Sequence, residues 1–166
     1  MGKTEISVMS KAESAALSAN FSDNAVFNLM NSNGYCSLPA DTEEGKKFIY
    51  NISQNPDYQL NDFIGKKIEM TGIYSTPVNF EKLDEKTNEP IVNAETGEVE
   101  TVEGHRTILI DSDGESYACA ANGVFDSLKK ILWLYGEPHT WKKPIPIEIK
   151  NITTKKGRKT MTIVLL

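Results

Sequence analysis

The order of strand-like and helix-like segments between residues 63 and 166 restricts the fold more than any other feature of the sequence. Five segments favour strands, because apolar residues alternate with polar ones or gather between turn residues. Only segment 124–135 carries apolar residues at helical spacing, with charged residues on its other side. The strand segments are 64–74, 105–111, 115–121, 145–151 and 159–166. This pattern predicts a mainly β domain with one helix between its third and fourth strands.

That order of elements is the order of the OB-fold, a small and partly open Greek-key barrel. Gly72 interrupts the first strand, where such a strand must bend to serve both sides of a barrel. The amphipathic helix is suited to plug one end of the barrel. We therefore expect a five-stranded OB-like Greek-key barrel over residues 61–166.

Residues 1–60 have a different pattern and are expected to form a partly helical extension outside the barrel. Residues 1–20 contain few large apolar side chains, so we expect them to form a mobile arm. A helix is predicted from Glu43 to about Ser53, with Asp41 or Thr42 as its cap. The apolar cluster of the extension consists of Phe21, Phe27, Leu29, Phe48, Ile49 and Ile52. A cluster of this size cannot form a core alone, so it is expected to pack on the barrel or on another subunit of a homo-oligomer.

Segment 75–104 is acidic and too long for a plain turn. Turn residues at 86–88 and 96–97 favour an exposed β-ribbon, with Ile91 and Val92 on one arm and Val99 and Val102 on the other. Because its charge would repel an anionic ligand, the ribbon is expected to point away from any anion-binding groove, to contact another subunit or to discourage wrong partners.

Charge is distributed unevenly along the chain, which has a net charge of −5. Residues 142–166 contain seven basic residues and one acidic residue, Glu148. A basic end on an acidic chain indicates a local anion-binding surface. The alternative is a solvated hairpin whose lysines protect an edge strand from pairing.

Residues 63–166 resemble the single-stranded DNA-binding proteins of phages, especially the small type found in phages that replicate linear DNA from a terminal protein. The resemblance rests on segments 64–74, 106–111, 117–121 and 124–135 and on the strands from residue 145. Some members also carry an extension before the barrel. The resemblance implies binding of single-stranded DNA without sequence specificity, protection of that DNA during replication in the host cytoplasm, and contacts with replication proteins. Unlike the bacterial proteins, this chain has no acidic tail after its last strand, so partner recruitment through a tail is not expected.

Binding of single strands requires basic groups near the phosphates and aromatic faces for the unpaired bases. The candidate nucleic-acid-binding residues are Tyr74, His105, Arg106, Tyr117, Trp141, Lys142, Lys143, Lys155, Lys156, Arg158 and Lys159. Trp141 lies in a loop restrained by prolines, where it can stack on a base or anchor the loop. Tyr74 and Tyr117 can equally pack the barrel, and Trp133 is expected in the core.

Motifs for catalysis and metal binding do not occur. There is no P-loop, no G-x-S-x-G elbow and no H-E-x-x-H, and the scattered His and Cys residues provide no metal framework. Segment 111–114 begins like a calcium loop but lacks the later ligands, so a hairpin turn is expected. Cys119 is expected to be a buried structural thiol. The sequence thus predicts no enzyme activity, no cofactor, no metal and no membrane partner.

Two other functional classes stay open. The first is an OB-like structural or assembly protein that mediates protein–protein contacts without nucleic acid. The second is a small enzyme that uses Cys119 or the acidic segment. Polythymidine binding separates the first class from a DNA-binding protein.

Overall fold

The computed structural model describes residues 34–166, together with Val26 and Leu29. Residues 34–166 form seven strands, two α-helices and two short 3-10 turns. The strands are β1 (Tyr35–Cys36), β2 (Tyr58–Gln59), β3 (Lys67–Glu81), β4 (Thr101–Asp111), β5 (Ser116–Cys119), β6 (Ile145–Thr153) and β7 (Lys159–Leu165). The helices are α1 (Glu43–Gln54) and α2 (Asn122–Tyr135), and the 3-10 turns are Leu60–Phe63 and Pro138–Thr140.

The strands form one curled sheet in the order β2-β5-β4-β3-β6-β7, with β1 paired to β3. The long central strand β3 pairs with β6 from Lys67 to Met70 and with β4 from Met70 to Glu81. The register shifts between Met70 and Gly72. The predicted bend at Gly72 is therefore confirmed as a β-bulge, which lets one strand pair with two neighbours in succession.

The inner face of the curled sheet packs against α2. The side chains of Val124, Leu128 and Leu132 are fully buried there with Leu109 and Ile147. The close approach of α2 to β7 depends on a glycine, because a Cβ at Gly123 would lie 2.2 Å from the carbonyl oxygen of Met161. The predicted apolar stripe of the helix is confirmed except at its last residue, Tyr135, which is exposed.

The outer face of β3, β4 and β5 packs against α1. Phe48 and Ile52 of the helix contact a cluster that contains Ile108 and Ile110 of β4. The side chain of Thr42 accepts a hydrogen bond from the Gly45 amide at 3.1 Å, so the predicted cap is confirmed. None of the helices in the described part of the chain is long and apolar enough to span a membrane.

The mainly β class is confirmed. Residues 61–166 contain five strands with one α-helix between the third and the fourth, but the described residues before 61 add two strands that were not predicted. Residues before 61 contribute β1, β2 and α1. Strand β1 pairs with β3, and β2 pairs with the outer edge of β5. Leu29 is also fully buried in the inner core. Hydrogen bonds hold the segment in place: the Ile73 amide donates to the Ser37 hydroxyl, and the Ser116 amide donates to the Asp57 carboxylate.

The barrel prediction therefore needs two corrections. Residues 35–36 and 58–59 belong to the sheet, although the extension was expected to lie outside it. Among the described residues the strand order ends at β2 and β7 without closing, so the sheet is a half-barrel whose inner face is filled by α2. The division into domains 1–60 and 61–166 stays a prediction. The predicted arm 1–20 and the residues Phe21 and Phe27 lie outside the described residues.

The acidic segment forms the expected ribbon, which contains two consecutive turns of the same construction. In the first, the Asp84 carboxylate accepts hydrogen bonds from the amides of Lys86 and Thr87, and this lowers the pKa of Asp84. In the second, the Asn93 side chain accepts the same bonds from the amides of Glu95 and Thr96. Segments 84–90 and 93–99 are thus an internal structural repeat with an offset of nine residues.

Candidate nucleic-acid interface

Six of the basic candidates lie at the two ends of the β6–β7 hairpin. Lys155, Lys156, Arg158 and Lys159 surround the turn between the strands, and we call them the hairpin cluster. Trp141, Lys142 and Lys143 precede β6, and we call them the loop cluster. Because β6 has nine residues, the clusters are separated by roughly 25 Å at ~3.3 Å per residue. The structure therefore divides the expected basic surface into two.

The hairpin cluster is exposed and contacts the acidic ribbon. Its turn is closed by a hydrogen bond of 2.7 Å from the Thr154 amide to the Arg158 carbonyl oxygen. The guanidinium of Arg158 forms an ion pair with Glu85 of the ribbon. The lysines of the cluster form no ion pair with any described residue. Three ammonium groups thus remain available to an anionic ligand.

Arg106 and His105 point to opposite faces of the sheet, because successive strand residues alternate. The His105 ring stacks on Phe125 of α2 on the inner face, with ring centroids 4.0 Å apart. Arg106 lies on the outer face, where its Nη1 donates to the Ser53 carbonyl oxygen at 2.5 Å. It also lines a cavity of about 280 Å³ with Val78 and Phe80. The structure therefore does not bring His105 and Arg106 into one site.

The two strand tyrosines both contribute to packing. Tyr117 is buried, stacks with Tyr58 and donates a hydrogen bond of 2.7 Å to Asp111. Its burial and the neighbouring Asp111 carboxylate raise the pKa of Tyr117. Tyr74 is half-buried in the cluster under α1. These contacts favour the packing role over base stacking for both residues.

Trp141 has the contacts of a loop anchor. Its indole is half-buried against the inner core, and its Nε1 donates to the Gly136 carbonyl oxygen at 3.0 Å. With Tyr135 and Leu165 it lines a cavity of about 430 Å³. Lys142 and Lys143 lie at the rim of the same cavity and are exposed.

The candidates that the sequence analysis overlooked or misplaced are Phe80 and Trp133. The Phe80 ring lies over Gly104 on the outer face, where a Cβ at the glycine would be 2.7 Å from the ring. It is 39% exposed and lies near Arg106. The alternation from Tyr74 through Thr76 and Val78 would have indicated this position.

The expectation that Trp133 is in the core is wrong: it is 59% exposed, because it lies outside the buried stripe of α2.

The acidic hairpin between β4 and β5 is organised as a turn. The carboxylates of Asp111, Asp113 and Glu115 lie within 4.8 Å of one another. Asp111 Oδ1 accepts hydrogen bonds of 2.9 Å from the amides of Asp113 and Glu115, which is how a turn of this kind is capped.

Cys119 is buried, and burial raises the pKa of its thiol. This environment is the opposite of that of a reactive thiolate.

Comparison with family models decides which class of protein this is. Residues 30–166 match the model of the phage single-stranded DNA-binding proteins of the Phi29 type. The chain belongs to this family. The match begins well before residue 61, so it includes β1 and α1 together with the barrel strands, the ribbon and the hairpin cluster. No curated protein and no solved structure matches the chain.

Proposed function

We propose that this chain binds single-stranded DNA without sequence specificity and protects it during replication in the host cytoplasm. The match to the phage family over residues 30–166 carries the proposal. In phages that replicate linear DNA from a terminal protein, a protein that covers the single strands must accept any base. The interface proposed below has that property, because it consists of flexible ammonium groups and one aromatic face.

The hairpin cluster is proposed to contact the phosphates. Lys155, Lys156 and Lys159 are exposed at the end of the β6–β7 hairpin, without an ion pair to the described residues. Lysine ammonium groups act as point charges and impose no base preference. Each phosphate contact releases counterions and contributes about −0.7 to the slope of log affinity against log salt for a single strand.

Phe80 and Arg106 are proposed to form the base platform. The Phe80 ring is exposed on the outer face, and Arg106 lines the same cavity. A base can stack on this ring whatever its identity. The acidic residues of the ribbon begin immediately afterwards at Glu81, so the strand is expected to cross the base of the ribbon and avoid its tip. The loop cluster is not needed for this contact.

Anisotropy titration of a labelled polythymidine at several salt concentrations tests the proposal. A variant with Lys155, Lys156 and Lys159 changed to Ala should bind more weakly, with a slope flattened by about 1–2. The matched control changes Lys46, Lys47 and Lys130 to Ala, which removes the same charge from exposed helix positions. An equal effect in both variants would place the DNA elsewhere. No polythymidine binding by the unmodified chain at low salt would overturn the function and favour a protein-interaction module.

A further inference from the structure

The second turn of the acidic ribbon exposes an apolar pair with an acidic rim. Val92 and Val99 form a bridge across the turn and are 54% and 38% exposed. Glu95 and Glu98 lie between them in sequence and form no ion pair with any described residue. Residues 81–103 contain eight acidic and two basic residues. We call residues 92–99 the ribbon tip.

The loop cluster presents the complementary surface. Its cavity of about 430 Å³ is lined by Tyr135, Trp141, Pro144, Leu165 and Leu166 and has Lys142 and Lys143 at its rim. Tyr135 and Leu166 are at least half exposed, as is Leu134, which precedes Tyr135. Neither lysine forms an ion pair with the described residues. An apolar cavity with a basic rim therefore lies open. Exposed apolar surface of this kind commonly marks an interaction site.

The ribbon tip does not occupy the cavity of its own chain, because no residue of the ribbon lines that cavity and both Val92 and Val99 are exposed. The cavity lies at the start of β6, where Ile145 pairs with Met70 of β3. From that point β3 continues for eleven residues to Glu81 before the ribbon begins, which is ~35 Å of extended chain. The ion pair between Glu85 and Arg158 holds the ribbon at the far end of the β6–β7 hairpin. The cavity of each chain is thus left open to the ribbon tip of another copy.

We propose that the ribbon tip of one copy docks in the loop-cluster cavity of a second copy, with Val92 and Val99 in the cavity and Glu95 and Glu98 against Lys142 and Lys143. Such a head-to-tail contact uses two different surfaces, so it generates an open chain of subunits when it does not close into a ring. Complementary charge accelerates the encounter and makes the contact sensitive to salt. Neighbouring subunits on one strand would then share one direction.

Charge reversal in the full-length chain tests this contact without DNA. Sedimentation velocity between about 5 and 200 µM at low salt should show self-association of the unmodified chain, which weakens at high salt. The variants K142E/K143E and E95K/E98K should each sediment as the smaller species, because both surfaces of each variant then carry like charge. E43K/E44K makes the same charge change on exposed positions of α1 and should leave self-association unchanged.

Combining the reversed surfaces should restore assembly. A mixture of K142E/K143E with E95K/E98K pairs opposite charges at every junction, and so does the quadruple variant. Recovery of the larger species in both cases supports the contact. The proposal is overturned if the unmodified chain stays monomeric over the whole range, or if reversal has no effect or cannot be rescued. It is also overturned if K142E/K143E reduces polythymidine affinity while sedimentation without DNA is unchanged, since the loop cluster would then contact DNA.

Discussion

Truncating Trp141 to alanine should destabilise the fold and leave the DNA interface intact. A fully buried aromatic side chain loses about 3–5 kcal/mol on truncation to Ala. Trp141 is half-buried, so less apolar contact is lost. The hydrogen bond from Nε1 to the Gly136 carbonyl oxygen adds about 1 kcal/mol. The free energy of unfolding should therefore fall by about 2–3 kcal/mol, which lowers Tm by about 5–10 °C for a chain of this size.

Urea unfolding, followed by far-UV circular dichroism at a protein concentration low enough to avoid self-association, measures this loss. Trp141→Phe keeps an aromatic ring in the loop and removes the Nε1 donor, so it should lose only about 1 kcal/mol. Trp133→Ala is the matched control, because that indole is 59% exposed and should change stability by less than about 0.5 kcal/mol. The anchor role is wrong if Trp141→Ala unfolds like the unmodified chain but binds polythymidine at least tenfold more weakly. That outcome would support base stacking.

Four further predictions concern separate parts of the molecule. Phe80→Ala should weaken polythymidine binding by about 1–3 kcal/mol, while Phe80→Tyr retains it because an aromatic face remains; equal loss in both variants would argue against stacking. Glu85→Ala frees the Arg158 guanidinium, so polythymidine affinity should rise up to about fivefold at low salt; unchanged binding would place Arg158 off the DNA path. Gly123→Ala should lower stability by more than about 2 kcal/mol in urea unfolding, because the new Cβ meets the Met161 carbonyl oxygen. A thiol reagent should modify Cys36 faster than Cys119 in the native chain, because Cys36 is exposed and Cys119 is buried, and Cys119 should react fully only after unfolding; equal reaction rates of the two thiols in the native chain would contradict the burial of Cys119.

The sequence predicts the long helices and strands well, because each of them contains several repeats of its apolar pattern. The buried stripe of α2, the helix after Thr42 and the bulge at Gly72 were all predictable, since each depends on local spacing or on one residue type. β1 and β2 have two residues each and carry no readable period. Their places in the sheet depend on contacts with β3 and β5, which are distant in sequence.

The candidate site was less predictable, because residue type does not reveal which face a side chain occupies. His105 and Arg106 are adjacent in a strand, so alternation alone would have separated them, and the structure places them on opposite faces. Tyr117 satisfies the requirement for an aromatic ring, yet its ring is buried among Tyr58, Phe63 and Asp111. The nine-residue repeat in the ribbon has a weak sequence signal, because only Thr87/Thr96 and Glu89/Glu98 are identical between its two segments.

The position of α1 explains why the proposed DNA path lies at the base of the ribbon. In OB-folds, nucleic acid commonly crosses the outer face of the second and third strands, which correspond here to β4 and β5. That face is occupied at Ile108, Ile110 and Ala118 by Phe48 and Ile52 of α1. The helix ends at Gln54, and the bond from Arg106 to Ser53 marks the limit of the covered area. Beyond this limit Phe80 is the exposed aromatic side chain of β3 and β4, and Arg158 of the hairpin cluster forms an ion pair with the ribbon that follows. A strand that avoids α1 is therefore expected between Phe80 and the hairpin cluster, where both an aromatic face and free ammonium groups are available.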